Sequence, residues 1–335
     1  MADDRIRDEQ VVVVGAGLAG LACARELVDA GFAVSVLDRG RHPGGRFGIR
    51  HVEGRPVDLG ASYFTVSDPA FAAVVADWEH RGLARPWTDT FRTATPAGLG
   101  EAKSGPVRWA APGGLRGLVE DLAAQLPPAA RPAPQSTVVQ VAHDGSGPTV
   151  DGVPAAAVVL AMPDPQARTL LAEDLETERA ALDVVYDPVI AVAAAWERRS
   201  WPAFAGAFVA DSAVLTWIAD DGDRRGDAAP VLVAHTTSEL AAAHLQDPAA
   251  VVAPVLAELR AVLGIDAEPR WTLSQRWTYA KPAGSHDEPY LSSGSGIAAA
   301  GDSWGGRARA EGAFVSGRAL GAALGAGRDR VGVPA

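Results

Sequence analysis

Residues 11–40 read VVVVGAGLAGLACARELVDAGFAVSVLDRG, and their pattern decides the fold. Residues 11–14 are an unbroken β-branched run without polar alternation, as expected of a parallel strand buried on both faces. Residues 18–30 have helical texture and close at Gly31, and residues 33–37 form a second apolar run that ends in Asp38. Gly15, Gly17 and Gly20 fall between strand and helix with G-x-G-x-x-G spacing. The first allows a tight turn, the second lets backbone approach a pyrophosphate, and the third lets helix and strand pack closely. With Leu18 and Ala19 opening the helix, its N-terminus offers free N–H groups and a positive dipole end. Asp38, followed by Arg39, suits ribose hydroxyls and repels a 2′-phosphate. The expectation is a dinucleotide site.

A chain of 335 residues exceeds what one hydrophobic core usually serves, so two domains are expected. The net charge of −11 argues against a nucleic-acid or anionic-membrane footprint. No apolar run reaches the length of a membrane span. The N-terminal MADDRIRDEQ is too charged for a signal peptide, so a cytoplasmic protein is expected. Cys23 is the single cysteine, which rules out a disulfide framework and a Cys-based metal site; no metal is expected. Arginine outnumbers lysine so heavily that Lys103 and Lys281 are the only lysines. That bias, with abundant Ala, Gly and Pro, reflects GC-rich coding rather than function.

Further along, residues 71–81 and 112–126 predict helices, and strands are expected at 137–141 and 157–161. Residues 88–107 carry no assignable pattern. From 186 to 240 four strand-length runs separated by turns predict an antiparallel sheet, followed by a helix at 248–263. WTLSQRWTY (271–279) alternates strictly, and the tail returns to a buried strand (GIAAAGD), a glycine turn and a helix. The expected class is α/β. A Rossmann-like dinucleotide domain is built from both chain ends (1–70, 108–165 and 288–335). An α+β substrate domain carrying an antiparallel sheet is inserted (71–107 and 166–287).

The later motifs favour FAD over NAD. Gly44, Gly45 and Arg46 follow the second strand closely, and Gly301-Asp302 ends the late strand. Glu311-Gly312-Ala313 opens the last helix, whose positive end can stabilise charge on a reduced ring. Together with DLGASYFT (58–65), LAMPDPQA (160–167), RWTYAKP (276–282) and AGDSWGGRARAEGAFVSG (300–317), these motifs resemble the renalase family. That family includes bacterial homologues and sits within the amine-oxidase-like flavoproteins.

The resemblance implies noncovalent FAD, since the C-terminal region has no cysteine for a thioether. Its ADP half would fall to Gly15, Gly17, Gly20 and Asp38, an Asp where Glu is commoner. Gly45 and Arg46 would lie near pyrophosphate and ring, Gly60, Ala61 and Ser62 against the isoalloxazine, Met162 and Gly301 beside the cofactor, and Asp302 by the ribityl chain. Glu311, Gly312 and Ala313 would stand at the N1 edge, and Val139 would contact the adenine end through its backbone.

It also implies hydride transfer from a dihydronicotinamide isomer to the flavin, with oxygen as acceptor giving hydrogen peroxide. Tyr63, Trp217, Trp277 and Tyr279 are the candidates for an aromatic wall over the ring; Trp217, Trp277 and Tyr279 serve equally well as sheet core. His235, in mid-strand, reads as a structural histidine, and Lys281 as a residue that could hold a water near N5. An amine oxidase, a tailoring oxidase or desaturase, and a non-catalytic flavin sensor remain open alternatives.

Overall fold

A computed structural model of the chain describes residues 10–306 and 308–327. It forms two compact units. The first comprises Met1–Gly45, Val119–Tyr186 and Pro282–Ala335, and the second Arg46–Leu118 and Asp187–Lys281. The second unit thus takes in residues 46–70 and 108–118, which the sequence reading assigned to the dinucleotide domain.

In the first unit four strands lie parallel in the order Ile297–Ala299, Ala157–Leu160, Gln10–Val14, Ala33–Leu37. The short strand Leu291–Ser292 adds an antiparallel edge. Val12, Val13, Val158 and Leu160 are fully buried, as unbroken apolar runs in a sheet covered on both faces must be. Helices Leu18–Asp29 and Ala310–Ala326 pack tightly together. A Cβ on Gly317 would stand 2.0 Å from the Ala19 carbonyl oxygen, and one on Gly321 2.7 Å from that of Cys23. Only glycine allows two helix backbones so near each other. Cys23 is buried there, its thiol pushed up to about 12 by burial and by Glu26, which makes it an inert packing residue.

The second unit is built on a seven-stranded sheet in the order Trp271–Pro282, Tyr186–Ala195, Val231–Thr236, Leu215–Asp220, Gly206–Val209, Arg85–Thr95, Gly98–Ala110. Its alternating residues serve two cores. Ile190, Val192, Ala194 and Ile218 pack with Val255, Leu259 and Val262 of helix Val252–Leu263. Ala191, Ala193 and Val233, on the other face, meet Val57, Leu59, Leu273 and Trp277. Among the described residues no helix is long and apolar enough to cross a membrane.

Two local expectations are corrected. Residues 88–107 belong to a long hairpin, Arg85–Thr95 with Gly98–Ala110, whose register shifts several times. Its outer strand is exposed and charged, as an edge strand that resists further pairing tends to be, so no apolar alternation marks it. The strand expected at 137–141 begins instead at Val141 and runs to His143. The N–H groups of Val139 and Gln140 turn to the Asp151 carboxylate rather than to a neighbouring strand.

Candidate active site

The four parallel strands of the first unit each end in candidate cofactor residues. Gly15 follows Val14, Asp38 follows Leu37, Met162 comes two residues after Leu160, and Gly301-Asp302 lies just past Ala299. Ligands of open α/β sheets sit at such carboxyl ends, where the strand order reverses.

The glycine turn itself is tightly built. Gly15 has φ +112°, and a Cβ there would lie 2.5 Å from the Ala161 carbonyl oxygen. A Cβ on Gly20 would lie 1.9 Å from the Gly15 carbonyl oxygen. Around Gly17, at the helix N-terminus, no atom comes within 4 Å of such a Cβ. Two glycines therefore serve packing, and the third leaves a bare backbone face where an anion can approach helix N–H groups. Leu18 and Ala19 are buried in the first helical turn.

Asp38 accepts from the Ala16 N–H at 2.7 Å and the Gly40 N–H at 2.6 Å. One lone pair on each oxygen remains for ribose hydroxyls. Arg39 is exposed. Gly44, at φ +139°, donates its N–H to the Ala16 carbonyl, and Gly45, at φ +52°, packs on Gly17, so the two glycine clusters adjoin. Gly301 lies close to the Met162 carbonyl and donates its N–H to the Ser316 hydroxyl of the last helix. Glu311 and Gly312 are buried in that helix's first turn, with Ala313 beside them. Asp302 is buried and accepts from the Tyr186 hydroxyl at 3.0 Å. Tyr186 went unremarked in the sequence because nothing in its neighbourhood sets it apart from sheet core. Val139 is 74% exposed, and its N–H, one of the groups offered to adenine, is the donor to Asp151. These groups fit a dinucleotide: a bare glycine face, a carboxylate with spare acceptor capacity, and a buried acid at the late strand.

In the second unit the segment Asp58–Tyr63 is held at almost every residue. The Asp58 carboxylate takes the Leu115 N–H at 2.9 Å and pairs with Arg224 and Arg225. The Leu59 carbonyl accepts from the Trp277 indole at 2.6 Å. A Cβ on Gly60 would fall 1.8 Å from the Arg46 carbonyl oxygen, which also accepts the Ala61 N–H. The Arg46 guanidinium reaches the Ala280 carbonyl. The Ser62 hydroxyl accepts from the Trp217 indole at 3.0 Å, and the Ser62 carbonyl from Arg224 at 3.0 Å. Buried burden falls on Arg224, itself fully enclosed. Burial disfavours charge on Asp221, yet Arg224, Arg225 and Arg55 outweigh it and hold that carboxyl below its usual range.

Tyr63, Trp217 and Trp277 thus meet one segment, Tyr63 as part of it and the two indoles as its donors. Tyr63 packs on Trp217 at 5.7 Å and edge-on to Phe91 at 5.1 Å. Trp277 also lines a small cleft of about 210 Å³ with Gly48, Ile49 and Leu59. Tyr279 follows on the same strand, partly buried. Lys281 is exposed over much of its surface, yet desolvation lowers its ammonium pKa against the opposing pull of Asp187.

His235 pairs across the sheet with both Ala191 and Trp217. Burial, then Lys281 and Arg224, bring its pKa down to about 3, against a hydrogen bond to the Gly60 backbone. Its Nε2 is buried with no hydrogen-bond partner among the described residues. The ring is therefore neutral when folded. Because the unfolded chain takes a proton near 6.5, this contribution to stability is complete above that pH and fades as pH falls toward 3. The ceiling on that loss is about 1.4 kcal/mol per pH unit. In His235→Asn, stability from urea unfolding should decline less between pH 7 and pH 5 than in the parent. Equal declines would leave another group responsible.

Comparison with known proteins gives this geometry its family. Residues 13–78 match the NAD(P)-binding Rossmann-like domain, and residues 100–321 match the flavin containing amine oxidoreductases. The chain belongs to the flavin-containing amine oxidoreductase family. Membership makes it a flavin-dependent oxidoreductase with FAD as cofactor. Phytoene dehydrogenase of Streptomyces griseus is 49% identical over 69 residues, which cover 20% of this chain and 14% of that enzyme. Cyclohexylamine oxidase from Brevibacterium oxydans IH-35A superposes with a TM-score of 0.75 at 16% identity, covering 97% of this chain and 100% of that one. Putrescine oxidase bound to putrescine superposes at 0.71 with 18% identity, over 96% of this chain and 100% of that one. At such identities the family resemblance in structure is one of fold.

Proposed function

We propose that the protein is a renalase-type oxidase that returns a dihydronicotinamide isomer to the aromatic nicotinamide, with oxygen as final acceptor. One observation carries this reading. The Tyr63–Trp217 wall is locked in place by the Ser62 hydroxyl and lies beside a histidine kept neutral. A dihydronicotinamide loses hydride with little acid–base help because rearomatisation drives the step. It needs orientation and a dry apolar face, which rigid aromatic side chains supply.

In this reading Gly15, Gly17, Gly20 and Asp38 hold the ADP half of FAD, and Asp302 takes the ribityl hydroxyls. Gly44, Gly45 and Arg46 serve the pyrophosphate and ring, and Gly60–Ser62 the isoalloxazine. Bound FAD supplies the hydride acceptor at N5 and the route of electrons to oxygen. Tyr63 orients the substrate ring, Trp217, buried in the core with Phe91, braces Tyr63, and Trp277 fixes the Leu59 carbonyl.

A second reading, oxidation of a small amine, is favoured by Lys281. Its lowered pKa suits a group that positions water or accepts a proton near an amine.

The deciding experiment is an anaerobic visible spectrum of the holoprotein during addition of mixed reduced NAD isomers. Bleaching of the flavin band by the minor isomers but not by ordinary NADH, reversed by air, is the expected result. A band indifferent to every isomer but bleached by an amine would replace this reading with the second.

A further inference from the structure

Residues 283–289 form an irregular segment of the first unit, and all of them except His286 are exposed. His286 turns inward, its side chain 12% exposed, and brings Nε2 to 2.6 Å from an oxygen of Asp164. Asp164 follows Met162 by two residues and is fully buried. A carboxylate in that position needs donors around it. The Ser303 hydroxyl donates to one oxygen at 2.8 Å, and the imidazole and the Val184 N–H, at 3.2 Å, reach the other. An acceptor-only carboxylate fixes the imidazole tautomer, with the hydrogen on Nε2. Ser303 is fully buried and faces the acid rather than the imidazole, so the trio is not a nucleophilic triad.

What the trio does hold is the turn Gly301–Trp304. The His286 N–H donates to the Ser303 carbonyl at 2.7 Å, and the His286 carbonyl accepts the Gly306 N–H at 3.2 Å. The imidazole stacks on Trp304, with centroids 3.8 Å apart and planes 21° from parallel. The Trp304 N–H closes the turn on the Gly301 carbonyl at 3.3 Å, and the Gly301 N–H is tied to Ser316 of the last helix. Asp302 therefore sits between one residue anchored on that helix and another anchored on Asp164. Its own donor, the Tyr186 hydroxyl, comes from two residues beyond Val184. One short segment thus supplies a donor to each acid. The turn lies outside helix and strand, so these side-chain ties define where the Asp302 carboxylate stands.

We propose that His286 and Asp164 are positioning residues for the cofactor, fixing the Gly301–Trp304 turn so that Asp302 meets the ribityl hydroxyls of FAD. The inference rests on the assignment of Asp302 to the ribityl chain and extends it to the two residues that hold that acid in place. Its consequence is selective. ADP lacks the ribityl chain and asks only for the groups assigned to the ADP half, Gly15, Gly17, Gly20 and Asp38.

Calorimetric titration of the full-length apoprotein with FAD and with ADP separates this role from simple anchoring of a loop. His286→Ala should raise the Kd for FAD roughly tenfold or more, the scale of a lost hydrogen bond to a charged group, and leave that for ADP unchanged. His286→Gln, whose amide can donate in place of Nε2, should recover part of the FAD affinity. Asp164→Asn keeps the shape of the side chain, is the gentler variant, and should show the same selective loss. In an Asp302→Asn background, His286→Ala should cost nothing further, because it acts through that acid. Unchanged FAD affinity in both single variants, equal weakening of FAD and ADP, or a full further loss in the Asp302→Asn background would overturn the proposal and leave His286 a loop anchor. If Asp302→Asn alone keeps full FAD affinity, the ribityl assignment itself falls, and the proposal with it.

Discussion

Arg224→Leu should lower the unfolding free energy by about 3–5 kcal/mol, the cost of removing one partner from a buried ion network. Arg224 is 1% exposed and pairs with Asp58 at 2.9 Å, with Asp221, and with the Ser62 carbonyl at 3.0 Å. Without it Asp58 keeps Arg225 and the Leu115 N–H, and Asp221 keeps Arg225 and Arg55. The buried Ser62 carbonyl loses its arginine donor, and two carboxylates share the remaining charge. The stabilising share of Asp221, whose pKa is held low, is complete above its ordinary range near 3.8 and is lost as pH falls through the lower folded value. The deficit of the variant should therefore shrink in acid. Urea unfolding at pH 7 and at pH 3 measures both effects. Arg25→Ala, at a pair whose side chains are 50% and 58% exposed, serves as reference and should cost less than about 1 kcal/mol. If Arg224→Leu costs no more than this, the network contributes little to stability.

Gly20→Ala should abolish flavin retention. Alanine is the better helix former by about 1 kcal/mol, so propensity alone predicts a gain. Sterics decide the other way, because the new methyl would sit 1.9 Å from the Gly15 carbonyl oxygen and 3.1 Å from the Ala161 side chain. Either the helix moves off the sheet or the turn deforms, and overpacking of this kind costs about 1–3 kcal/mol or more. Both adjustments displace the bare face at Gly17. The flavin absorbance per mole of purified protein should fall to background, while circular dichroism retains most of the helical signal. A variant that purifies fully yellow would show that the turn tolerates the displacement.

The parts of the molecule that could be read from sequence are those governed by local rules. A four-residue valine run, three glycines and a terminal acid determine strand, turn and helix within about thirty residues, and the parallel sheet confirms each of those elements. The antiparallel strands between 186 and 240 were legible because their apolar runs are bounded by turn residues. The hairpin Arg85–Ala110 was not, since an exposed edge strand hides no apolar face. The Arg224 network was equally silent. Asp220–Arg225 has the composition of a solvated loop, yet Asp221, Arg224 and Arg225 are buried, and Asp58, the partner of both arginines, lies more than a hundred and sixty residues away in sequence. Pairing at that distance leaves no periodic trace.

The close approach of the last helix to the first through Gly317 and Gly321 also bears on how the protein is made. The opening strands and helix leave the ribosome early, but the strand at Ile297–Ala299 and the helix at Ala310–Ala326 come almost three hundred residues later. At ordinary rates of synthesis that interval is on the order of 15–60 s. Throughout it, the side of the first helix that Gly317 and Gly321 will meet lacks its cover, and the strand Ala157–Leu160, once made, waits for Ile297–Ala299. Parallel pairing between such distant segments is intrinsically slow and exposed to aggregation. The nascent chain is thus a natural client for chaperones, and the cofactor can enter a finished cradle only after translation has passed the final helix.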